Sequence, residues 1–195
     1  MSRRYLLVLF ASVTVFAARA SAQQPPTGLP VVEINVEVLG NTLGDFTTKM
    51  DAYAALRRSL QEGLPELSVT DNPAEIQRAE QLLAQRIRQG RAGAGRGDIF
   101  TEQIRRGFRQ LLRSVTNAAT CELIHDDNPG EFLYSVNSDY PKNKSLSTVP
   151  ATMLAVLPRL PEDVWYRFLH HDLILHDSRA NVILDRIDNA IRCDD

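Results

Sequence analysis

The chain has 195 residues, and its 24 acidic side chains slightly outnumber its 22 basic ones, for a formal net charge of −2. This length is enough for one domain with a buried core, and the charge balance gives no general attraction to nucleic acid. Beyond the first residues, no stretch approaches the roughly 20 apolar residues of a transmembrane helix.

The beginning of the chain has the three parts of a secretory signal peptide. A basic start at Arg3-Arg4 precedes an apolar run from Tyr5 to about Ala18 and the small residues Ala20-Ser21-Ala22. We expect cleavage after Ala22 and export of a soluble protein to the periplasm or the cell exterior. Loss of this segment, residues 1–22, removes three arginines and leaves a net charge of about −5.

The exported part is predicted to contain a disordered leader and one domain. Residues 23–30 are polar and rich in proline, so we expect the leader there and a single globular domain at 31–195. From Val32 to Val38, apolar residues alternate with polar ones, which predicts a β-strand with one buried face. This segment is a candidate third strand for the sheet near the C-terminus.

Three amphipathic helices are predicted next. The first follows Asp45 as its N-cap and ends near Leu60. The second follows Asn72, with Glu75 reaching back to the cap, and the third follows Thr101. Their apolar stripes are Phe46, Met50, Tyr53, Leu56 and Leu60; Ile76, Ala79, Leu83 and Ile87; and Ile104, Phe108, Leu111, Leu112 and Val115.

The pattern is less regular after the third helix. His125–Gly130 combines Asx residues with Pro-Gly and predicts a turn. Phe132–Val136 is interpreted as a short strand, and residues 138–148 as a polar loop. Residues 153–157 form a short apolar segment before two prolines.

A β-hairpin is predicted from Val164 to Asp177, with His170 and His171 as its two turn residues. In this register Leu169 faces Asp172 and Trp165 faces His176. One face is then almost wholly apolar and should contact the core; its members are Val164, Tyr166, Phe168, Leu173, Leu175 and Asp177. The other face carries Trp165, Arg167, Leu169, Asp172, Ile174 and His176.

A last helix is predicted after the hairpin, capped by Asp177 or Ser178 and with Ile183, Ile187 and Ile191 on its inner side. The sequence therefore predicts an α+β fold. It combines a mostly helical N-terminal half, containing the three amphipathic helices, with a small antiparallel sheet and a C-terminal helix.

Two cysteines are present, Cys121 and Cys193, and both lie in the exported part. In an oxidising compartment such a pair favours a disulfide over two free thiols. A Cys121–Cys193 bond would close a loop of roughly 70 residues and stabilise the fold by about 4 kcal/mol on the chain-entropy model.

Four segments together resemble a family of uncharacterised exported bacterial proteins. They are YAALRRSLQEGLP, DNPAEIQRAEQLL, GRGDIFTEQI and YRFLHHDLILHDSRANVILDRIDNAI. The similarity spans most of the mature chain, and the hairpin turn of these relatives often carries Gly-Arg at the position of His170-His171. The resemblance implies no catalytic residue, because no activity is assigned to the family.

Histidine stands beside aspartate three times, which is a plausible donor set for zinc or another transition metal. His171 and His176 cannot share one ion, because five residues of strand separate them by roughly 16 Å. The candidate metal site therefore joins His176 and Asp177 to the turn residues His125 and Asp127. Surface histidines and a structural turn are the competing interpretation.

Arginines are concentrated between Arg86 and Arg113, where only Asp98 and Glu102 are acidic. One interpretation is a surface that binds phospholipid headgroups, lipopolysaccharide or an acidic partner. Its candidate residues are Arg91, Arg96, Arg105, Arg106 and Arg109. The alternative is solvated helix faces whose charges pair with the acidic C-terminal half.

No catalytic residue and no cofactor is predicted, since the sequence lacks a Gly-x-Ser-x-Gly nucleophile motif and its cysteines are expected to be oxidised. The sequence favours an exported, soluble binding or structural module of the bacterial cell envelope. Its expected partner is an envelope protein or an anionic surface and not nucleic acid. The alternatives are a metal-dependent hydrolase using the His/Asp set and envelope lipid or anionic-surface binding through the arginines.

Overall fold

The structure, a computed structural model, describes residues 36–64 and 72–193. These residues form an α+β fold of helices and one small antiparallel sheet, as predicted. The helices are α1 (Val36–Gln61), α2 (Pro73–Gly90), α3 (Glu102–Val115), α4 (Ala118–Asp126) and α5 (Ala151–Leu154). The strands are β1 (Val164–Leu169), β2 (Asp172–Asp177) and β3 (Val182–Ile187). The predicted signal peptide and leader lie outside the described residues.

The hairpin has the predicted register. Strands β1 and β2 pair antiparallel with Leu169 opposite Asp172 and Trp165 opposite His176. His170 occupies the turn at φ +53°, a conformation that histidine tolerates better than most residues. The predicted apolar face lies in the main core, where Tyr166, Phe168 and Leu173 are buried.

The predicted C-terminal helix is wrong, because Val182–Ile187 forms the third strand, in the order β1-β2-β3. Asp177 caps a turn and not a helix, since its Oδ1 accepts a hydrogen bond from the backbone N–H of Ala180. Asn181, at φ +54°, then turns the chain into β3. Almost every residue of β3 is buried, so the strand lacks the alternation that would have identified it.

The predicted strand at Val32–Val38 is also wrong where it can be compared. Val36, Glu37 and Val38 belong to α1, and the earlier residues lie outside the described range. Helix α1 begins well before the predicted start, so Asp45 lies inside it and is not its N-cap. The predicted buried residues Phe46, Met50 and Tyr53 are confirmed.

Two helix starts agree with their predicted caps, and one helix was missed. The Asn72 side chain accepts from Ala74 N–H at the start of α2, and the Thr101 side chain accepts from Ile104 N–H at the start of α3. Glu75 contacts the cap through the Asn72 side-chain amide. Helix α4 was not predicted, although Asn117 and Thr120 form a capping box at its start.

The helices cover one face of the sheet, and a long segment covers the other. On the helix side, rings of Phe46, Phe100, Phe108 and Tyr166 form a continuous aromatic cluster. The second face is covered by residues 131–149, which we call the strap. It packs on Leu169, Ile174 and Ile183 through Tyr140, Phe132 and Tyr134.

The strap contains turns at 136–138 and 142–144, and the predicted strand at Phe132–Val136 is wrong, since those residues join no ladder. Its backbone pairs instead at 137–140 with the outer edge of β3. Asn137 N–H donates to Ile183 O at 2.8 Å, and Tyr140 N–H donates to Asn181 O at 3.0 Å. At the far edge of the sheet, the Ser147 hydroxyl donates to Phe168 O of β1.

Candidate functional site

A buried carboxylate on β2 joins the sheet to α1. Asp177 is fully buried, and its Oδ2 accepts from the Tyr53 hydroxyl and from Arg57 Nε, each at 2.7 Å. Arg57 also donates to Asp163 at 2.8 Å. Burial would lower the pKa of the Arg57 guanidinium, but attraction by Asp177 and Asp163 outweighs burial and raises that pKa. This cluster is satisfied within the fold and has a structural role.

A second buried carboxylate, Asp185 on β3, holds the loop before α3. It accepts backbone N–H groups of Gly97, Ile99 and Phe100 at 2.7–3.0 Å, and also the N–H of Arg186. Four donors on one carboxylate compensate its loss of water. Sequence reasoning missed this residue, because an acid in an apolar run has no local partner that identifies its role.

His176 lies on the second face of the sheet and is 1% exposed. Its Nδ1 receives a hydrogen bond from Arg167 Nε at 3.0 Å, and its Nε2 lies 3.1 Å from Asn181 Oδ1. Because Arg167 can only donate, the imidazole is neutral and carries its proton on Nε2. Burial lowers the pKa of His176 to about 4, although the hydrogen bond to Asn181 acts in the opposite direction.

The candidate metal ligands are not brought together. His176 and Asp177 are neighbours in β2, so they project to opposite faces of the sheet, and each is occupied by the contacts just described. The Asp127 carboxylate accepts from the backbone N–H and hydroxyl of Thr148, and His125 is exposed on α4. In residues 36–64 and 72–193, no group of three His, Cys, Asp or Glu side chains is placed to hold a metal ion.

Three of the five candidate anion-binding arginines are occupied by contacts within the fold. Arg91 is buried and binds Asp98 and Leu184 O, and Arg96 pairs with Asp188. Arg105 binds Glu102 and Phe100 O. The alternative interpretation, in which arginines pair with acids of the C-terminal half, therefore describes Arg96 well.

The other two candidate anion-binding residues, Arg106 and Arg109, are more available to a ligand. The Arg106 side chain is 73% exposed and has one ion pair, with Glu102 at 3.5 Å. Arg109 donates to the backbone carbonyls of Asp188 and Asn189, at 2.8 and 3.3 Å. These two bonds place Arg109 against the turn that follows β3.

Arg109 also lines a cleft of about 370 Å³ between α3 and the segment after β3. Arg113 and Arg192 line the same space, which we call the arginine cleft. Asp188 is on its wall, but that carboxylate already pairs with Arg96 and, at 3.0 Å, with Arg186. Within the described part of the chain, neither Arg113 nor Arg192 has a carboxylate partner.

Sequence reasoning included Arg113 in the arginine run but not in the site, and it missed Arg192. The predicted disulfide was the signal that could have identified Arg192. Cys193 is bonded to Cys121, with an S–S distance of 2.12 Å, and this bond brings the neighbouring arginine close to the C-terminal end of α3.

Two further clefts adjoin the hairpin turn. One, of about 440 Å³, lies between the turn and Phe132–Tyr134 of the strap, where Leu133 is fully exposed. The other, of about 620 Å³, lies between the turn and α4 and is lined by His125, His170, His171 and both cysteines. We call the second one the disulfide cleft.

Comparison with known proteins gave no match to a protein-family model, a curated protein or a solved structure. The resemblance to uncharacterised exported proteins therefore stays a prediction. Among the described residues, no helix is long and apolar enough to cross a membrane.

Proposed function

We propose that this chain is an exported binding module of the bacterial cell envelope that binds phosphate groups in the arginine cleft without catalysing a reaction. The observation that carries the proposal is the convergence of Arg109, Arg113 and Arg192 on one concave space. None of the three guanidinium groups has a carboxylate partner in the part of the chain that the structure describes, and Arg109 is held by two backbone carbonyls. The disulfide and the predicted signal peptide support an exported protein.

Guanidinium chemistry favours phosphate as the ligand. The planar N–H fork of arginine matches the oxygens of a phosphate and forms paired, charge-assisted hydrogen bonds. A cleft of about 370 Å³ has room for a phosphate group. The nearby Asp188 does not prevent binding, because two other arginines neutralise it.

The cleft continues into a basic stripe along α3. Arg106, Arg109 and Arg113 are spaced by three and four residues, so they share one side of the helix. The stripe would bring a phosphate-bearing surface to the cleft, since Arg106 extends into solvent. The module would thus bind a phosphate carried by an envelope lipid headgroup or free inorganic phosphate.

The test measures binding of inorganic phosphate to the purified chain by calorimetry and by backbone amide shifts at low ionic strength. The double variant Arg113→Gln/Arg192→Gln should lose about tenfold or more in affinity, because it removes two charge-assisted contacts. Arg159→Gln is the matched control, since it makes the same change at an exposed arginine outside the cleft. Equal loss in the control, or no binding to the wild type, would overturn the proposal.

A second arm distinguishes the two sources of phosphate. Vesicles of phosphatidylglycerol and of phosphatidylcholine are compared by co-sedimentation at two salt concentrations. Binding only to phosphatidylglycerol, weakened by salt and by Arg106→Gln, identifies a lipid headgroup. Phosphate binding without vesicle binding identifies a free phosphate.

A further inference from the structure

The disulfide adjoins the arginine cleft through Arg192. Cys193 follows Arg192 directly, and its sulfur is bonded to Cys121 on α4. The two cysteines also line the disulfide cleft of about 620 Å³, and both are half-buried, with Cys193 packed partly against the main core. The Cys121–Cys193 bond is thus part of the disulfide cleft and is one residue away from the proposed phosphate site.

The hydrogen bonds of the segment after β3 end before Arg192. Asn189 N–H donates to Asp172 Oδ1 at 2.7 Å. Ala190 and Ile191 donate to His171 O at 2.7 and 3.3 Å. Within the described residues, Arg192 and Cys193 have no hydrogen bond to the rest of the fold. Arg192 therefore lies between two anchors, the buried and hydrogen-bonded Ile191 before it and the disulfide after it.

We infer that Cys121–Cys193 is a thiol-exchange site whose redox state sets the phosphate affinity of the arginine cleft. In the oxidised protein Arg192 lines the cleft with Arg109 and Arg113, and reduction removes its anchor on the C-terminal side, so the guanidinium is held less closely in the cleft. This inference rests on the proposed phosphate binding. The co-reactant is a dithiol, such as the reduced active site of an exported oxidoreductase.

The exchange balances in two steps. A thiolate of the dithiol attacks one sulfur of the protein, which forms a mixed disulfide and expels the other cysteine as a thiolate that takes up a proton. The second thiol of the reductant then loses its proton and displaces the protein cysteine. The products are two protein thiols and one oxidised dithiol, so two electrons and two protons enter the protein.

His125 is placed to assist the departing sulfur. It lies four residues after Cys121 on α4, so both side chains occupy the same side of that helix, and both line the disulfide cleft. An imidazole at this position can supply the proton that the leaving thiolate requires. His171 borders the same cleft from the hairpin, and its carbonyl accepts the bonds that hold Ala190 and Ile191.

The experiment treats the purified oxidised chain with dithiothreitol without denaturant and follows reduction by alkylation and mass spectrometry. Circular dichroism verifies that the fold persists. We expect complete reduction of the native protein and a loss in phosphate affinity of about tenfold, similar to Arg192→Gln and to the variant Cys121→Ser/Cys193→Ser. His125→Ala should slow the reduction, whereas Arg159→Gln should not.

The outcomes separate this inference from the proposed function. Reduction only under denaturing conditions, or unchanged phosphate affinity after native reduction, would overturn the redox control and leave phosphate binding intact. Absence of binding in both redox states would remove the proposed function. Amide hydrogen exchange tests the loosening separately from phosphate binding: reduction should speed exchange at Arg192 and Cys193 and leave Ala190 and Ile191, which bind His171 O, protected. Equal exchange at Arg192 and Cys193 in the two redox states would overturn the redox control.

Discussion

Arg167 Nε donates a hydrogen bond to Nδ1 of His176 at 3.0 Å, and this contact requires a neutral imidazole. The chain of contacts continues from His176 to Asn181, whose side-chain amide donates to Tyr140 O at 2.8 Å. A histidine next to aspartate in the sequence thus connects the sheet to the strap.

The first prediction concerns stability in acid. The pKa of His176 is lowered to about 4 in the fold, against an ordinary 6.5 in the unfolded chain. Between about pH 4 and pH 6.5, the imidazole is therefore protonated in the unfolded state and neutral in the native state. The free energy of unfolding should be fully retained above pH 6.5 and fall by up to about 3 kcal/mol towards pH 4. Urea titrations at several pH values would measure how the free energy of unfolding depends on pH. The same pH dependence in His176→Gln would contradict the prediction.

The second prediction concerns Asp185. Asp185→Asn keeps the shape but turns a carboxylate that accepts four N–H groups into an amide with one acceptor oxygen. We expect a loss of about 2–4 kcal/mol in the free energy of unfolding, because buried N–H groups lose their partner. Asp139→Asn is the matched control; its ion pair with Arg88 is exposed and should contribute less than about 1 kcal/mol. Similar losses in both variants would refute the structural role of Asp185.

The third prediction separates the partners of Asp177. Tyr53→Phe removes one hydrogen bond and leaves Arg57 in place, so the expected cost is about 1–2 kcal/mol. Arg57→Met leaves the fully buried carboxylate without a cation and should cost about 3–5 kcal/mol. Arg58→Gln, at the next and exposed position of α1, should change stability by less than about 0.5 kcal/mol. Chemical denaturation ranks the three variants, and any other order would disprove the model of a charge-neutralising Arg57.

The fourth prediction concerns the contact between α1 and α3. A Cβ at Gly107 would lie 2.9 Å from Thr42 Cγ2, so Gly107→Ala should destabilise the protein by about 1–2 kcal/mol although alanine favours helix. Thr42→Ser removes that methyl group and keeps the hydroxyl that binds Val38 O at 2.8 Å. The double variant should therefore recover most of the loss in a thermal or urea titration. Additive losses would indicate that steric contact with Thr42 is not the cause.

Sequence reasoning predicted best those parts of the fold where local pattern and geometry agree. The hairpin register followed from its two faces, because a shift of one residue would have buried Arg167 and exposed Phe168. The caps Asn72 and Thr101 were identified because a capping side chain acts on its own helix.

The wrong secondary-structure predictions concern segments whose apolar spacing does not show their true structure. Strand β3 is buried on both faces, and the four-residue spacing of Ile183, Ile187 and Ile191 imitates a helix stripe. The alternation in Val32–Val38 imitated a strand, but its end belongs to α1. Charged residues were harder still, because whether an arginine such as Arg91 or Arg192 is occupied depends on partners far along the chain.

The strap has a consequence for the sheet that it covers. A three-stranded sheet presents two outer strands whose backbone groups could pair with another copy of the chain. The strap occupies the outer edge of β3 through backbone pairing at 137–140, and it reaches the outer edge of β1 through Ser147. A protease cut within residues 141–146 would separate these two contacts, so that each half of the strap would hold its strand edge by itself. In the intact chain the strap thus leaves fewer backbone groups of the two outer strands open to β-pairing with a second molecule.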